Sequence, residues 1–179
     1  MKNKFPHFAI IVCFALTSLT AFAGENMEDK SSNAMESESF KTYVSSDEKA
    51  YAAMTALPQD QPFQMLNMIR YRDKAKYEAG SEFAAKNWSG AEAYAEYGRH
   101  ATPIAERVGG KLVYVGDPQL TMIGPEHEQW DAIFIMAYPN LKSFLGLVGD
   151  PEYKKHAFHR AAGVADSRLI RLETPASQD

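Results

Sequence analysis

From Phe63 to Tyr71 (FQMLNMIRY) large apolar and aromatic side chains follow one another with little polar interruption, between Pro62 and Asp73. Such a run predicts a strand. Alternation puts Met65, Asn67, Ile69 and Tyr71 on one face and Leu66, Met68 and Arg70 on the other. Both faces are largely apolar, so the strand is expected to be covered on both sides. At Ser89 the period changes. Ser89 and Glu92 have the spacing of a capping box, and Tyr94, Tyr97, Ala101, Ile104 and Val108 then recur every three or four residues, which is one face of a helix. Pro103 is expected to bend that helix and Gly109-Gly110 to stop it.

Lys111 to Val115 predicts a second strand, turned or bulged at Asp117-Pro118, with Leu120 to Ile123 continuing or returning it. Trp130 to Tyr138 (WDAIFIMAY) predicts the third. Trp130, Ala132, Phe134, Met136 and Tyr138 share one of its faces; Ile133, Ile135 and Ala137 share the other. Pro139-Asn140 leads into a helix through Val148 with Leu141, Phe144, Leu147 and Val148 as its apolar side. Asp150-Pro151 is a cap followed by proline at the first helical position, which starts a second short helix, Glu152 to Ala162, ended by Gly163. Ser167 to Leu172 is the last strand. Asp73 to Trp88 is a charged, aromatic excursion broken by Gly80. Upstream, Ser46 has the character of a cap for a short helix over Asp47 to Leu57, which Pro58 ends.

The order strand, helix, strand, strand, helix, strand predicts an α+β fold of the ferredoxin-like, split β-α-β kind: an antiparallel sheet with its helices on one face. The first and third strands carry bulky apolar residues on both faces, yet helices cover only one. The uncovered face would be a larger patch than soluble monomers usually expose. A second copy packed sheet against sheet, as an isologous homodimer, resolves the mismatch.

The beginning of the chain predicts an address. Lys2 and Lys4 precede the apolar run Phe8 to Leu16, and Ala21-Phe22-Ala23 supplies small residues where a signal peptidase reads. A membrane span needs roughly 20 apolar residues, and this run is shorter. Residues 1–23 therefore read as a cleaved signal peptide and predict export to the periplasm or beyond. Cleavage removes Cys13, the single cysteine, and leaves no thiol for disulfides, nucleophilic catalysis or zinc. Residues 24–46 read as a flexible polar spacer, 47–173 as the folded domain, and 174–179 as a tail.

The 179 residues suffice for one domain with one core. With 45% hydrophobic and 23% charged residues the composition is globular. The formal net charge of −4 and the lack of a basic stripe argue against a nucleic-acid partner. No membrane partner is expected after signal cleavage. No phosphate loop or dinucleotide fingerprint is present, and no cofactor is predicted.

Several ordered matches resemble one family. They are Leu57-Pro58 with Met65-Leu66-Asn67-Met68-Ile69-Arg70-Tyr71-Arg72, Ser89-Gly90-Ala91-Glu92-Ala93-Tyr94 with Tyr97-Gly98, Ile123-Gly124-Pro125 with Trp130-Asp131, and Tyr138-Pro139 with Phe144. Asp150-Pro151 with Tyr153, and His159-Arg160-Ala161-Ala162-Gly163 with Asp166-Ser167-Arg168-Leu169, complete them. Together, over roughly Leu57 to Leu172, they resemble the family of domain of unknown function 1330. The resemblance implies a dimeric α/β barrel enclosing one apolar cavity per subunit, and no settled activity. The leader and spacer depart from the family's usual short form.

Some proteins of that superfamily act without a cofactor as oxygenases, decarboxylases or isomerases. By that analogy alone, the chain is expected to bind a small apolar, aromatic or carbonyl molecule, with proton abstraction as its chemistry if it is an enzyme. His159 would be the base, because imidazole titrates near neutrality, and Asn67 and Arg168 would stabilise the oxyanion. Arg70, Tyr94, Trp130 and Tyr138 are candidate substrate-binding residues: Arg70 for a carboxylate, the aromatics for cavity walls. The competing readings are structural. Asn67 is satisfied by neighbouring backbone, Arg70 pairs with an acid at the sheet edge, and His159-Arg160 caps the helix end. Asp166 pairs with Arg160 or Arg168, and the aromatics belong to the core. His156 and His159 share one helix turn, but nothing nearby completes a metal set. His100 and His127 read as surface or loop residues. Ser167 lacks the glycine pattern of a nucleophile elbow. The alternative function is a non-catalytic ligand-binding or protein-interaction module.

Overall fold

The computed structural model describes residues 41–174. The expected signal peptide, the spacer up to residue 40 and the tail from residue 175 lie outside them. Four strands and four helices follow one another as α1 (Glu48–Thr55), β1 (Phe63–Tyr71), α2 (Gly90–Arg107), β2 (Lys111–Gly116), β3 (Ala132–Tyr138), α3 (Leu141–Gly149), α4 (Pro151–Gly163) and β4 (Val164–Glu173). A single 3-10 turn, Ala84–Lys86, interrupts the excursion between β1 and α2. The sheet has the order β2-β3-β1-β4, and every neighbouring pair is antiparallel. This is the ferredoxin-like arrangement.

Local chemistry sets the element ends. Ser89 and Glu92 form the full capping box: the Ser89 amide donates to Glu92 Oε2 at 2.8 Å, and the Glu92 amide donates to Ser89 Oγ at 3.2 Å. At the other end of α2 the Gly110 amide reaches the Ala105 carbonyl and the Gly109 amide reaches Glu106. Those two bonds form a Schellman turn, and it requires the left-handed φ of +91° at Gly109. Pro103 lies inside α2, as anticipated. Asn140 caps α3 through the Ser143 amide, and Asp150 caps α4 through those of Glu152 and Tyr153.

The core lies between the sheet and the helices. Phe63 and Met65 of β1 and Tyr138 of β3 pack against Ile104 and Ala105 of α2 and Leu141, Phe144 and Leu147 of α3. Burying each large apolar side chain contributes about 2 kcal/mol. The register pairs Phe63 with Tyr138 and Met65 with Met136, so these side chains share the helix-covered face. Leu66, Met68, Ile133, Ile135 and Leu172 lie on the opposite face, where they are half-buried, together with exposed Ile170.

Several elements depart from the sequence reading. Leu120 to Ile123 does not continue the sheet; it is an exposed loop, with Ile123 97% exposed. The third strand begins at Ala132, not Trp130, because the Asp131 amide already turns to the Ile69 carbonyl and Asp131 Oδ2 accepts from the Tyr71 amide. The last strand begins at Val164, directly after α4. The first helix is capped by Asp47, whose carboxylate accepts from the Ala50 amide, and not by Ser46. The spacer was expected to run free to Ser46, yet residues 41–44 lie against the domain. The Tyr43 amide donates to Asp166 Oδ1, its carbonyl accepts from Ser167 Oγ, and the Val44 carbonyl accepts from Arg160. The polar composition of the tract before it hid this strap, since what holds Tyr43 and Val44 is main-chain bonding to side chains more than 110 positions away.

Candidate functional site

α4 follows α2 closely because both carry a glycine at the contact. A Cβ on Gly163 would stand 2.5 Å from the Gly90 carbonyl oxygen. The Arg72 amide bonds to Gly163, and the Gly90 amide bonds to Arg72, both at 2.8 Å. This clasp fixes α4 against the end of β1 and the excursion 73–88. The excursion is tied down in turn by the Lys76 amide on Ala162 and the Ala75 amide on Trp88.

His159, on α4, is buried at 1% exposure. Its Nδ1 lies 2.8 Å from the hydroxyl of Tyr77. The rings of Phe83 (4.6 Å), Phe158 (4.0 Å), Tyr77 (5.6 Å) and Trp88 (6.4 Å) surround it. Lys86 lies over both Phe83 and Trp88 at the outer edge. On the other side the imidazoles of His100 and His156 stack at 3.5 Å, nearly parallel, and His156 is 6.1 Å from His159. His100, expected as a surface or loop residue, is a half-buried residue of α2 that also meets Glu96 at 3.2 Å. Burial lowers the pKa of His159 and of His156; for His156 the neighbouring His100 adds to the effect. Burial, with a smaller contribution from Glu96, pushes the Tyr77 hydroxyl up to about 12. At neutral pH the pair is therefore an uncharged imidazole beside an uncharged phenol. Among the described residues no group of three or more His, Cys, Asp or Glu is arranged to hold a metal ion.

The other predicted site residues do not join His159. Asn67 Nδ2 donates to the Met65 carbonyl of its own strand at 3.0 Å, which is the structural reading. Arg168 stands opposite Met68 in the ladder, on the face away from Asn67. It bonds to Asp166 (2.8 Å) and Glu128 (2.7 Å), and its guanidinium lies 5.0 Å from the Trp130 ring and 5.1 Å from that of Tyr43. Together with a bond to the Ser167 carbonyl, these partners immobilise it. The expected trio of base and two oxyanion donors is thus split between the two faces of the sheet. Trp130 also leaves its expected face, since the strand has not yet begun there.

Tyr138 lies in the core, its ring 5.8 Å from Phe63 and 5.4 Å from Phe144. Tyr94 sits between Tyr71 and Tyr97, 5.4 Å from each, and Tyr97 shares a 3.0 Å hydroxyl contact with Tyr153. Burial raises the pKa of all three phenols of the Tyr71–Tyr94–Tyr97 row. Arg70 donates to the His127 carbonyl at 3.2 Å. The acid facing it, Asp166, is engaged by Arg168 instead. Arg160 does not cap α4; it holds the strap at Val44 and bonds to Ser167 Oγ. Sequence reasoning missed the walls around His159. Tyr77, Phe83, Trp88 and Phe158 are a dense aromatic signal in the sequence, but nothing local says that the excursion folds back over α4.

The model of a family described as domain of unknown function (DUF1330) matches residues 83–174. A crystal structure of a protein of unknown function from Rhodopseudomonas palustris is 39% identical, covers 76% of this chain and 99% of that one, and has a TM-score of 0.69. The methylated form of that protein is 38% identical, covers 78% and 100%, and has a TM-score of 0.71. A dimeric protein of unknown function with a ferredoxin-like fold, from Bacteroides fragilis, is 11% identical, covers 66% and 100%, and has a TM-score of 0.40. No curated protein matches the chain.

Proposed function

The chain belongs to the DUF1330 family, a domain of unknown function, and from that premise we propose that it binds a small aromatic or carbonyl molecule at the His159 cage and abstracts a proton there. One observation supports this reading above the rest: a buried, neutral imidazole is held by the Tyr77 hydroxyl among four aromatic rings. A neutral imidazole in dry surroundings is a competent general base, and the hydrogen bond on one ring nitrogen decides which nitrogen is free. In this reading Nδ1–H donates to the Tyr77 oxygen and Nε2 carries the lone pair. Aromatic faces supply binding area for a planar substrate. With His159 at 1% exposure, this reading requires the excursion 73–88 to open for substrate to enter and to close again to rebuild the cage. Asn67 and Arg168, first expected as oxyanion donors, have no part in this step.

The test is a panel of phenols, quinones and aryl ketones screened by thermal shift on the wild type and on Phe83→Ala and His159→Gln. A ligand of the right class raises the melting temperature of the wild type by preferential binding to the native state, and Phe83→Ala abolishes that rise. Bound ligand should exchange its acidic hydrogen for deuterium faster on the wild type than on His159→Gln. If no compound shifts the wild type, or if all shifts survive Phe83→Ala, the reading fails.

The sheet face without helices supports a second element of the reading, a homodimer. Leu66, Met68, Ile133, Ile135, Ile170 and Leu172 form an apolar surface on which no described helix packs. A second copy of the same surface is self-complementary by symmetry. Export through residues 1–23 remains part of the proposal on the strength of the sequence pattern.

A further inference from the structure

At the end of β1, lined by none of the rings that surround His159, an open basin of about 390 Å³ lies between the strand end, the start of α2 and the turn into β3. Arg70 and Arg72 line it together with Ser89, Gln129, Asp73 and Asp131. We propose that this basin binds a small organic carboxylate, clamped by the guanidinium groups of Arg70 and Arg72.

Both arginines present the same anomaly. The Nε–H of Arg70 and the Nε–H of Arg72 are each shielded from water and have no hydrogen-bond partner. A charged donor left in that state costs free energy that an acceptor would recover. The nearby acids do not supply one. Asp166, across the ladder from Arg70, accepts from Arg168 and from the Tyr43 and Ser167 amides. Asp131 directs Oδ2 to the Tyr71 amide at 2.6 Å. The Arg70 head is held by the His127 carbonyl, and because its Nε–H is shielded from water, that edge meets a ligand oxygen only after the side chain turns toward the basin. The planar fork of arginine matches the two oxygens of a carboxylate. Ser89 and Gln129 add neutral polar groups at the same walls. Asp73 and Asp131 set the charge limit: together they balance the two arginines, so a monoanion held by one arginine fork is favoured over a phosphate dianion.

Amide NMR spectra of the chain lacking residues 1–23 test this, with acetate, benzoate and inorganic phosphate as probes at constant ionic strength set by chloride. Saturable shifts are expected for a carboxylate, concentrated at residues 70–73, 89–91 and 129. Affinity should fall at least tenfold in Arg72→Gln and in Arg70→Gln, and part of it should return in Arg72→Lys, which keeps the charge. Arg99→Gln, on the exposed side of α2, should bind as the wild type does. The spectra themselves report whether each variant is folded. Three results would overturn the assignment: no saturable shift with either carboxylate, equal affinity in the arginine variants, or tighter binding of phosphate than of carboxylate. The His159 ring signals, read from the same samples, stay in place, so failure here is distinct from failure of the cage.

Discussion

The Tyr77 hydroxyl lies 2.8 Å from Nδ1 of His159, joining a loop residue to a helix residue 82 positions away. This bond closes the excursion over α4 and leaves the imidazole buried. The consequence for pH follows from linkage. Burial lowers the folded pKa of His159 below its ordinary value of 6.5, and that of His156 moves the same way. Between the folded and unfolded values the unfolded chain binds protons that the native chain refuses. Stability therefore rises with pH through that interval, is complete above about 6.5, and is lost as pH falls through the folded value. Melting curves between about pH 7 and pH 5 should show the fall, and it should flatten in a His156→Gln, His159→Asn double variant. An equally steep profile in that variant would place the pH dependence elsewhere.

The glycine clasp makes a sharper stability prediction. Gly163→Ala places a methyl group 2.5 Å from the Gly90 carbonyl oxygen, 3.1 Å from the Tyr94 amide nitrogen and 3.2 Å from the Ala93 Cβ. Backbone cannot move aside as a flexible side chain can, and the Arg72–Gly163 and Gly90–Arg72 hydrogen bonds depend on the same approach. A loss of about 2–3 kcal/mol, the cost typical of overpacking, is expected in chemical denaturation. Gly98→Ala is the control, because nothing lies within 4 Å of a Cβ there; in the middle of α2 it should be neutral or stabilising.

Asp166 holds the strap and Arg168 at once. Its Oδ1 accepts from the Tyr43 amide (2.8 Å), the Ser167 amide (2.9 Å) and Arg168 (2.8 Å). In Asp166→Asn the carboxylate charge is gone and Arg168 keeps only Glu128 as an acid partner. A loss of about 1–3 kcal/mol is expected, the range for disrupting buried hydrogen bonds to a charged group. Limited proteolysis should also cut within residues 41–46 faster than in the wild type. Unchanged cleavage would mean that Ser167 and Arg160 hold the strap without Asp166.

Much of the fold could be read in the residues themselves. The β1 limits, the capping box of α2 and the Asp150-Pro151 start of α4 are local signals, set within a few positions. The site was far less legible, because its parts meet only through long-range packing. Asn67 and Arg168 looked like partners by residue type, but the ladder register puts Arg168 opposite Met68, on the other face. A single position in register decides that, and alternation within one strand does not reveal the pairing between strands. Trp130 changed face because the strand began two residues later than the apolar run. His100 joined His156 because α2 and α4 are brought together by two glycines whose role appears only in three dimensions.

The same open face that alternation exposes leads to the oligomer prediction. Ile170 lies on β4 opposite Leu66 and is 43% exposed. A charge placed there costs little in a lone subunit, whose side chain already reaches water. In a sheet-to-sheet dimer the symmetry operation brings two copies of the face together, so the same charge is buried twice without a partner. Light scattering of the chain lacking residues 1–23 at micromolar concentration should report twice the single-chain mass, and Ile170→Glu should halve it while the melting curve remains cooperative. A wild-type particle of single-chain mass would remove the homodimer from the proposal. It would leave the His159 cage standing, since all of the rings that form it come from one chain.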